Sequence, residues 1–187
     1  MRFLRLFIIL FCSSIFLFYS SAMANEEAKY EVIQKNEIYE VRKYSDRLAV
    51  ETFESNQNSG FRKLFNYISG NNKLNTKISM TTPVTRTKKN GNMTMQFYLP
   101  SQFNQESAPD PSSSEVKIVN VEGGYYAVIR YSGRASDKNF IKHREILEKE
   151  LIKNNISIRS TSIRATYDSP FTLHVNRRNE AMFKINY

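Results

Sequence analysis

The sequence predicts one α+β domain built on a curled antiparallel sheet with two helices. Three observations predict it. Runs of alternating or β-branched residues recur along the chain. Two segments carry a helical period instead. Gly-containing turn signals join neighbouring runs.

The β-type runs fall at 38–42, 48–53, 78–84, 93–99, 116–121, 125–131, 163–167 and 181–185. In the fourth, Met93, Met95 and Phe97 point one way and Thr94, Gln96 and Tyr98 the other. Lys89-Asn90-Gly91-Asn92 is a hairpin turn, because Asn-Gly accepts the positive φ that a tight turn needs. Glu122-Gly123-Gly124 is a second.

Phe61, Leu64, Phe65 and Ile68 follow the i, i+3, i+4, i+7 spacing of a helix. Ser59 is a candidate N-cap, and Gly70 lies past the end. A second helix is predicted from Asp137 to Asn154. Phe140, Leu147 and Leu151 form its apolar stripe, and Ser136 or Asp137 can cap it. The segment Ser107 to Ser114, SAPDPSSS, has no period and reads as an exposed connection. It separates two halves of similar order, each with strands around one helix. That order suggests a pseudo-repeat closing into one distorted barrel.

Residues 1–24 read as a leader rather than as part of the fold. Arg2 and Arg5 precede an apolar stretch from Leu6 to Tyr19, and Ala22-Met23-Ala24 has the small-x-small pattern of a signal peptidase site. The stretch is about 14 residues, short of the roughly 20 that a spanning helix needs. Cleavage after Ala24 leaves residues 25–187 as one domain, periplasmic or secreted, with no membrane anchor. Cys12, the only cysteine, leaves with the leader. Disulfides, thiolate metal sites and a Cys nucleophile are then excluded. Losing Arg2 and Arg5 lowers the net charge of +9 by two, to +7. Such a surface suits anionic lipid or an anionic small molecule, and export argues against nucleic acid.

No hydrolase, zincin, Walker or dinucleotide motif occurs in the chain. His143 lies on one helical face with Phe140 and Leu147 and reads as a half-buried histidine bonded to a neighbour. His174 sits in a Pro-containing segment before Arg177 and Arg178. It is either an exposed loop histidine or an axial ligand to a haem iron. Arg177 and Arg178 can pair with carboxylates of a ligand, or one of them can be tied to Glu180. On the first helix, Arg62 and Lys63 stand beside Phe61, Leu64 and Phe65, as on an apolar wall with a cationic rim.

Several strings resemble the SOUL haem-binding proteins: YEVRKY (39–44), GFRKLFNYISG (60–70), KISMTTPV (77–84), FYLP (97–100), APDP (108–111), YYAVIRYSG (125–133) and YDSP to RRNE (167–180). The resemblance spans 30–187. It implies a distorted eight-stranded antiparallel β-barrel flanked by two α-helices, with a pseudo-twofold repeat. That architecture is similar to the gyrase-inhibitor-like effector-binding domains. It also implies non-covalent binding of haem b or another tetrapyrrole. The family's first-strand histidine is missing from 39–53, so the resemblance points to holding the ring by apolar contact. Carried onto this chain, the contact residues are Phe61, Leu64, Phe65, Ile68, Phe171 and Leu173, with Arg62, Lys63 and Arg177 at the propionates. Met80 can pack on the macrocycle, and His174 is the candidate metal ligand. The ligand is expected in an apolar slot with cationic lips, left between a rolled sheet and its two roofing helices. The protein is expected to bind it as a monomer. Two other readings remain: a hydrolase using the same cavity, with Glu40 or Glu51 as the acid or base, although both read as lying on solvent faces of strands, and an envelope interaction protein using its basic surface.

Overall fold

The computed structural model describes residues 25–54 and 59–187, so the expected leader lies outside the described residues. Among the described residues, eleven strands and two α-helices follow in order. β1 (Glu26–Glu27), β2 (Tyr30–Lys35), β3 (Glu40–Tyr44) and β4 (Arg47–Phe53) precede α1 (Ser59–Ile68). Then come β5 (Thr81–Thr82), β6 (Val84–Lys89), β7 (Asn92–Tyr98), β8 (Lys117–Val121) and β9 (Gly124–Tyr131). After α2 (Asp137–Lys153) follow β10 (Ile163–Thr166) and β11 (Asn179–Lys184).

One nine-stranded sheet runs β2-β3-β9-β11-β10-β6-β7-β4-β8, with every pairing antiparallel. Its eight strands after β2 divide into two like halves. β4-α1-β6-β7 and β9-α2-β10-β11 repeat the same order, and the central β6–β10 pair joins them. β3 extends one half and β8 the other. The expected eight-stranded pseudo-repeat is therefore present, with β2 added as a ninth strand on the β3 edge. β1 pairs in parallel with β5 in a separate two-stranded sheet.

Two short connections curl the sheet. β3 and β4 lie near opposite ends of the strand order, yet only Ser45 and Asp46 separate them. β8 and β9 are joined by Glu122 and Gly123. The two turns cross, and the Gly123 N–H donates to Asp46 Oδ1 at 2.8 Å. A Cβ on Gly123 would stand 2.4 Å from the Tyr44 carbonyl oxygen, so only glycine permits this approach.

The two sheet faces are used differently. Alternation places Val41, Ala127, Ile129, Ala181 and Phe183 on the outer face beneath Leu147 and Leu151 of α2. Val50, Met95 and Phe97 lie on the same outer face, beneath Leu64, Tyr67 and Ile68 of α1. The inner face carries Tyr44, Tyr126, Val128, Ala165 and Met182.

Local chemistry sets the helix ends. The Ser136 side chain accepts from the Asn139 N–H, and Asp137 sits in the first turn, where the helix dipole favours negative charge. Gly70 ends α1 at φ 112°. Ser59, expected as the cap, is instead the first helical residue. Asn90 and Gly91 turn the β6–β7 hairpin with φ of 50° and 83°.

Three expectations are corrected. The run 78–84 is not one strand. Proline has no N–H to give a ladder, so pairing stops at Thr82 and resumes at Val84 across the cis Thr82–Pro83 bond. The 107–114 segment is docked rather than free: Ala108 and Pro109 are buried, Tyr67 donates to the Pro109 carbonyl at 2.7 Å, and Asn72 bridges Pro111. Glu51 was expected on a solvent face but is buried on the inner face against Gln96.

Candidate functional site

The expected slot between the sheet and its helices is filled by Leu64, Tyr67 and Ile68 of α1 and Leu147 and Leu151 of α2, and the interior of the curl is closed by the protein's own side chains too. Glu180 sits at its centre with 0% exposure. Arg42 Nη1 donates to both Glu180 oxygens at 3.1 and 3.0 Å. Arg178 Nε donates to Oε1 at 3.0 Å, and the Tyr167 hydroxyl donates to Oε2 at 2.6 Å. Four hydrogen bonds nearly use up the acceptor capacity of one carboxylate. Glu40 closes one end of the cluster through Arg42, and Glu27 the other through Arg178. The space left beside it, lined by Ala28, Tyr44, Arg47, Pro83, Thr85, Tyr98, Tyr167 and Met182, is about 10 Å³. A macrocycle does not fit there. Of the two carboxylates expected for a hydrolase, Glu40 is tied to Arg42 and Lys35, and Glu51 to Gln96 and Lys89.

Burial sets the titration of this interior. It opposes charge on Arg42, but Glu180, Tyr44 and Glu40 more than offset it and raise the pKa. Arg178 is raised likewise against its burial, by Tyr167, Glu180 and Glu27. Burial pushes Tyr44, Tyr126 and Tyr131 up to about 12, and lifts Tyr167 higher still with help from Glu180. An unfolded tyrosine ionises near pH 10. Stability from these groups is fully present below about pH 10 and is lost as pH rises toward 12. Alkaline titration is therefore expected to show tyrosinate absorbance and loss of circular dichroism rising together between pH 10 and 12. Ionisation of Tyr44, Tyr126 and Tyr131 near pH 10 in a folded protein would contradict the packing.

One exposed aromatic pair lies on the outer face, on α1. Phe61 is 41% exposed and Phe65 48% exposed. Their rings are nearly parallel, with centroids 6.0 Å apart, and Phe61 meets Phe97 edge-on at 5.2 Å. Arg62 is exposed and has no ion pair among the described residues, while Lys63 pairs with Glu115. Leu64 and Ile68 turn toward the sheet and are buried, and Met80 packs half-buried against the same cluster. Leu64 and Ile68 support the α1 wall from beneath, which corrects their expected contact role, while Met80 keeps part of its surface open.

The remaining predicted residues stand across a strip of sheet. α1 covers β4 and β7, and α2 covers β9 and β11, so β6 and β10 lie between the helices. Thr166 pairs with Val84, and Val84 with Phe97, on which Phe61 rests. The β10–β11 loop thus leaves the sheet two strand spacings, or roughly 10 Å, from the Phe61 side. On this strip Arg86 and Arg164 are direct cross-strand neighbours. Arg86 pairs with Glu54 at 3.2 Å and Arg164 with Asp137 at 2.7 Å. Sequence reasoning missed both arginines, because their strands are too polar to show a buried face.

In the loop, Phe171, Leu173 and His174 are exposed. The His174 carbonyl accepts from the Gly133 N–H at 2.9 Å, and its ring makes no hydrogen bond among the described residues. Arg177 was expected at a propionate. It is instead committed to the loop, donating from Nε to the Thr172 carbonyl at 2.8 Å and also to that of Pro170. His143 matches its expected role: Nδ1 meets the Asn139 carbonyl at 2.8 Å, and the ring stacks on Tyr131 at 4.1 Å.

These residues fit the ring and the carboxylates of a tetrapyrrole on the outer face. Two exposed aromatic rings offer a flat apolar wall, and cationic groups border it. The one imidazole free to reach an iron is His174, on the opposite side of the strip.

The family profile described as "SOUL heme-binding protein" matches residues 25–184. Mouse "Heme-binding protein 2" is 31% identical over 159 residues, covering 76% of this chain and 75% of that one. Among solved structures, the EcmrR C-terminal domain aligns at TM-score 0.59 and 10% identity, over 84% of this chain and 98% of that one. A structure titled as a hydrolase from Listeria innocua aligns at TM-score 0.57 and 10% identity, over 82% and 94%. At that identity the last two show the fold alone.

Proposed function

The chain belongs to the SOUL heme-binding protein family, and on that premise we propose that it binds a tetrapyrrole on the outer face of the sheet, along α1. The observation that carries this reading is the exposed Phe61–Phe65 pair on a helix whose other apolar residues are buried. Phe61 and Phe65 cover one face of the ring, and Arg62 and Lys63 hold its carboxylates by charge-assisted hydrogen bonds. Leu64 and Ile68 fix the helix, so the aromatic wall is formed before binding. Several hundred Å² of apolar contact at about 25 cal/mol per Å² gives on the order of 10 kcal/mol before association costs. A bound haem supplies a redox-active iron, and the ring alone supplies most of the affinity. His174 and the exposed Phe171 and Leu173 form the far side, reached by the edge of the macrocycle.

Iron is then secondary. Titration with haemin and with protoporphyrin IX is expected to give dissociation constants within about tenfold of each other, and His174→Ala is expected to leave both within that range. Haemin affinity that collapses in His174→Ala would overturn the ring-held reading.

Export as a monomer is part of the same proposal. Cleavage after Ala24 would spare Glu26 and Glu27, which pair with β5, and with them the Glu27–Arg178 ion pair. Mass spectrometry of the protein collected outside the cytoplasm is expected to show Asn25 as its first residue. A chain retaining residues 1–24 would contradict the expected leader.

A further inference from the structure

A second cavity, of about 350 Å³, opens at the mouth of the curl, away from α1. Its walls are the β1 segment, the β3–β4 turn, β5, and the chain leaving β7 as far as Phe103. Leu48, Leu99, Pro100 and Phe103 give it an apolar side. Arg47 gives it a cation.

Arg47 is unlike the other shielded arginines. Arg42, Arg86, Arg144, Arg164 and Arg178 each meet a carboxylate, and Arg177 donates to two carbonyls. Arg47 meets neither among the described residues. Its guanidinium lies over two rings, 4.6 Å from the Tyr44 centroid and 4.1 Å from that of Tyr98. One N–H reaches the Tyr98 hydroxyl at 3.4 Å, and Nε is buried with no partner. A guanidinium has five N–H donors in a rigid fork that matches a carboxylate. Contact with the two rings holds that fork at the cavity wall with most of its donors unused.

The acids around the cavity do not supply the missing partner. Asp46 accepts from Gly123 and Asn120, Glu27 is bound to Arg178, and Glu26 accepts from the Ser101 N–H. Each is already engaged. The cavity is near the small end of ligand sites and well below the size of a tetrapyrrole.

We propose that this cavity binds a small monocarboxylic acid with a single-ring apolar body. The carboxylate lies on Arg47, and the body lies against Leu99, Pro100 and Phe103. The site is independent of the porphyrin surface on α1.

The test titrates the protein with 4-phenylbutyrate, 4-phenylbutan-1-ol and 4-phenylbutylamine, followed by backbone amide NMR. The acid is expected to bind saturably and shift the amides of Arg47, Ser101 and Phe103. The alcohol and amine should bind at least roughly tenfold more weakly. Arg47→Gln should weaken the acid by a similar factor and leave protoporphyrin affinity unchanged. Arg47→Lys keeps the charge but loses the fork, and is expected to fall between. Alcohol or amine binding as tight as the acid would overturn the proposal without any variant. So would an absence of shifts at those amides at millimolar acid.

Discussion

Replacing Glu180 with alanine is expected to destabilise the fold by about 3–5 kcal/mol, the cost of breaking a buried ion pair from one side. For a domain of this size that lowers the melting temperature by roughly 6–20 °C. The cause is geometric. Arg42 and Arg178 converge on one fully buried carboxylate, and Tyr167 donates to it as well. Without Glu180 the two cations face each other in the interior, with Glu40 and Glu27 holding only their outer sides. Glu180→Gln keeps the shape and some hydrogen bonds but not the charge, so a smaller loss is expected. Replacing the whole set at once (Arg42→Met, Arg178→Met, Glu180→Leu) should cost less than Glu180→Ala, because no buried charge is stranded. Thermal or urea unfolding reads all three. A Glu180→Ala protein within about 1 kcal/mol of the parent would show that the cluster is solvated rather than buried.

The cluster is also the reason the proposed ligand site is not the interior of the curl. Its charges hold together strands that are far apart in sequence: Arg42 lies on β3, Glu180 on β11, and Glu27 in the segment that caps the mouth. A ligand entering there would have to part these pairs before gaining any contact.

Much of this was legible in the residues. Alternation at Met93 to Tyr98 gave the right face for each side chain, since Met95 and Phe97 lie under α1 and Thr94 and Tyr98 face inward. The Ser136 cap and the Asn90-Gly91 turn were readable because each depends on residues adjacent in sequence. β2 was missed because it is an edge strand, exposed along most of its length, with no apolar period. β6 was missed because Val84–Lys89 is mostly polar. The tie between Glu180 and the neighbouring Arg178 was visible from spacing. The Arg42 contact was not, because it spans 138 residues. The same limit applies to the site. Helical spacing grouped Phe61, Leu64, Phe65 and Ile68, but it could not divide them into two that face solvent and two that face the sheet.

The proposed ligand position rests on that division, which yields the second large effect. Phe61 and Phe65 are about half exposed, so a ring lying on them would bury the remaining surface of each. Full burial of such a side chain is worth about 1.5–3 kcal/mol, and half of that on two residues gives about 1.5–3 kcal/mol together. Phe61→Ala/Phe65→Ala is therefore expected to weaken porphyrin binding roughly 10- to 100-fold. The buried residues beneath are untouched, so the variant should still fold. Met182→Ala, on the inner face, should leave the affinity within about threefold. The deciding measurement is a visible-absorbance titration of protoporphyrin IX into the parent protein and these two variants. A loss confined to the α1 double variant is the predicted result. An unchanged dissociation constant there, or a loss in Met182→Ala instead, would place the ligand inside the curl and contradict the account.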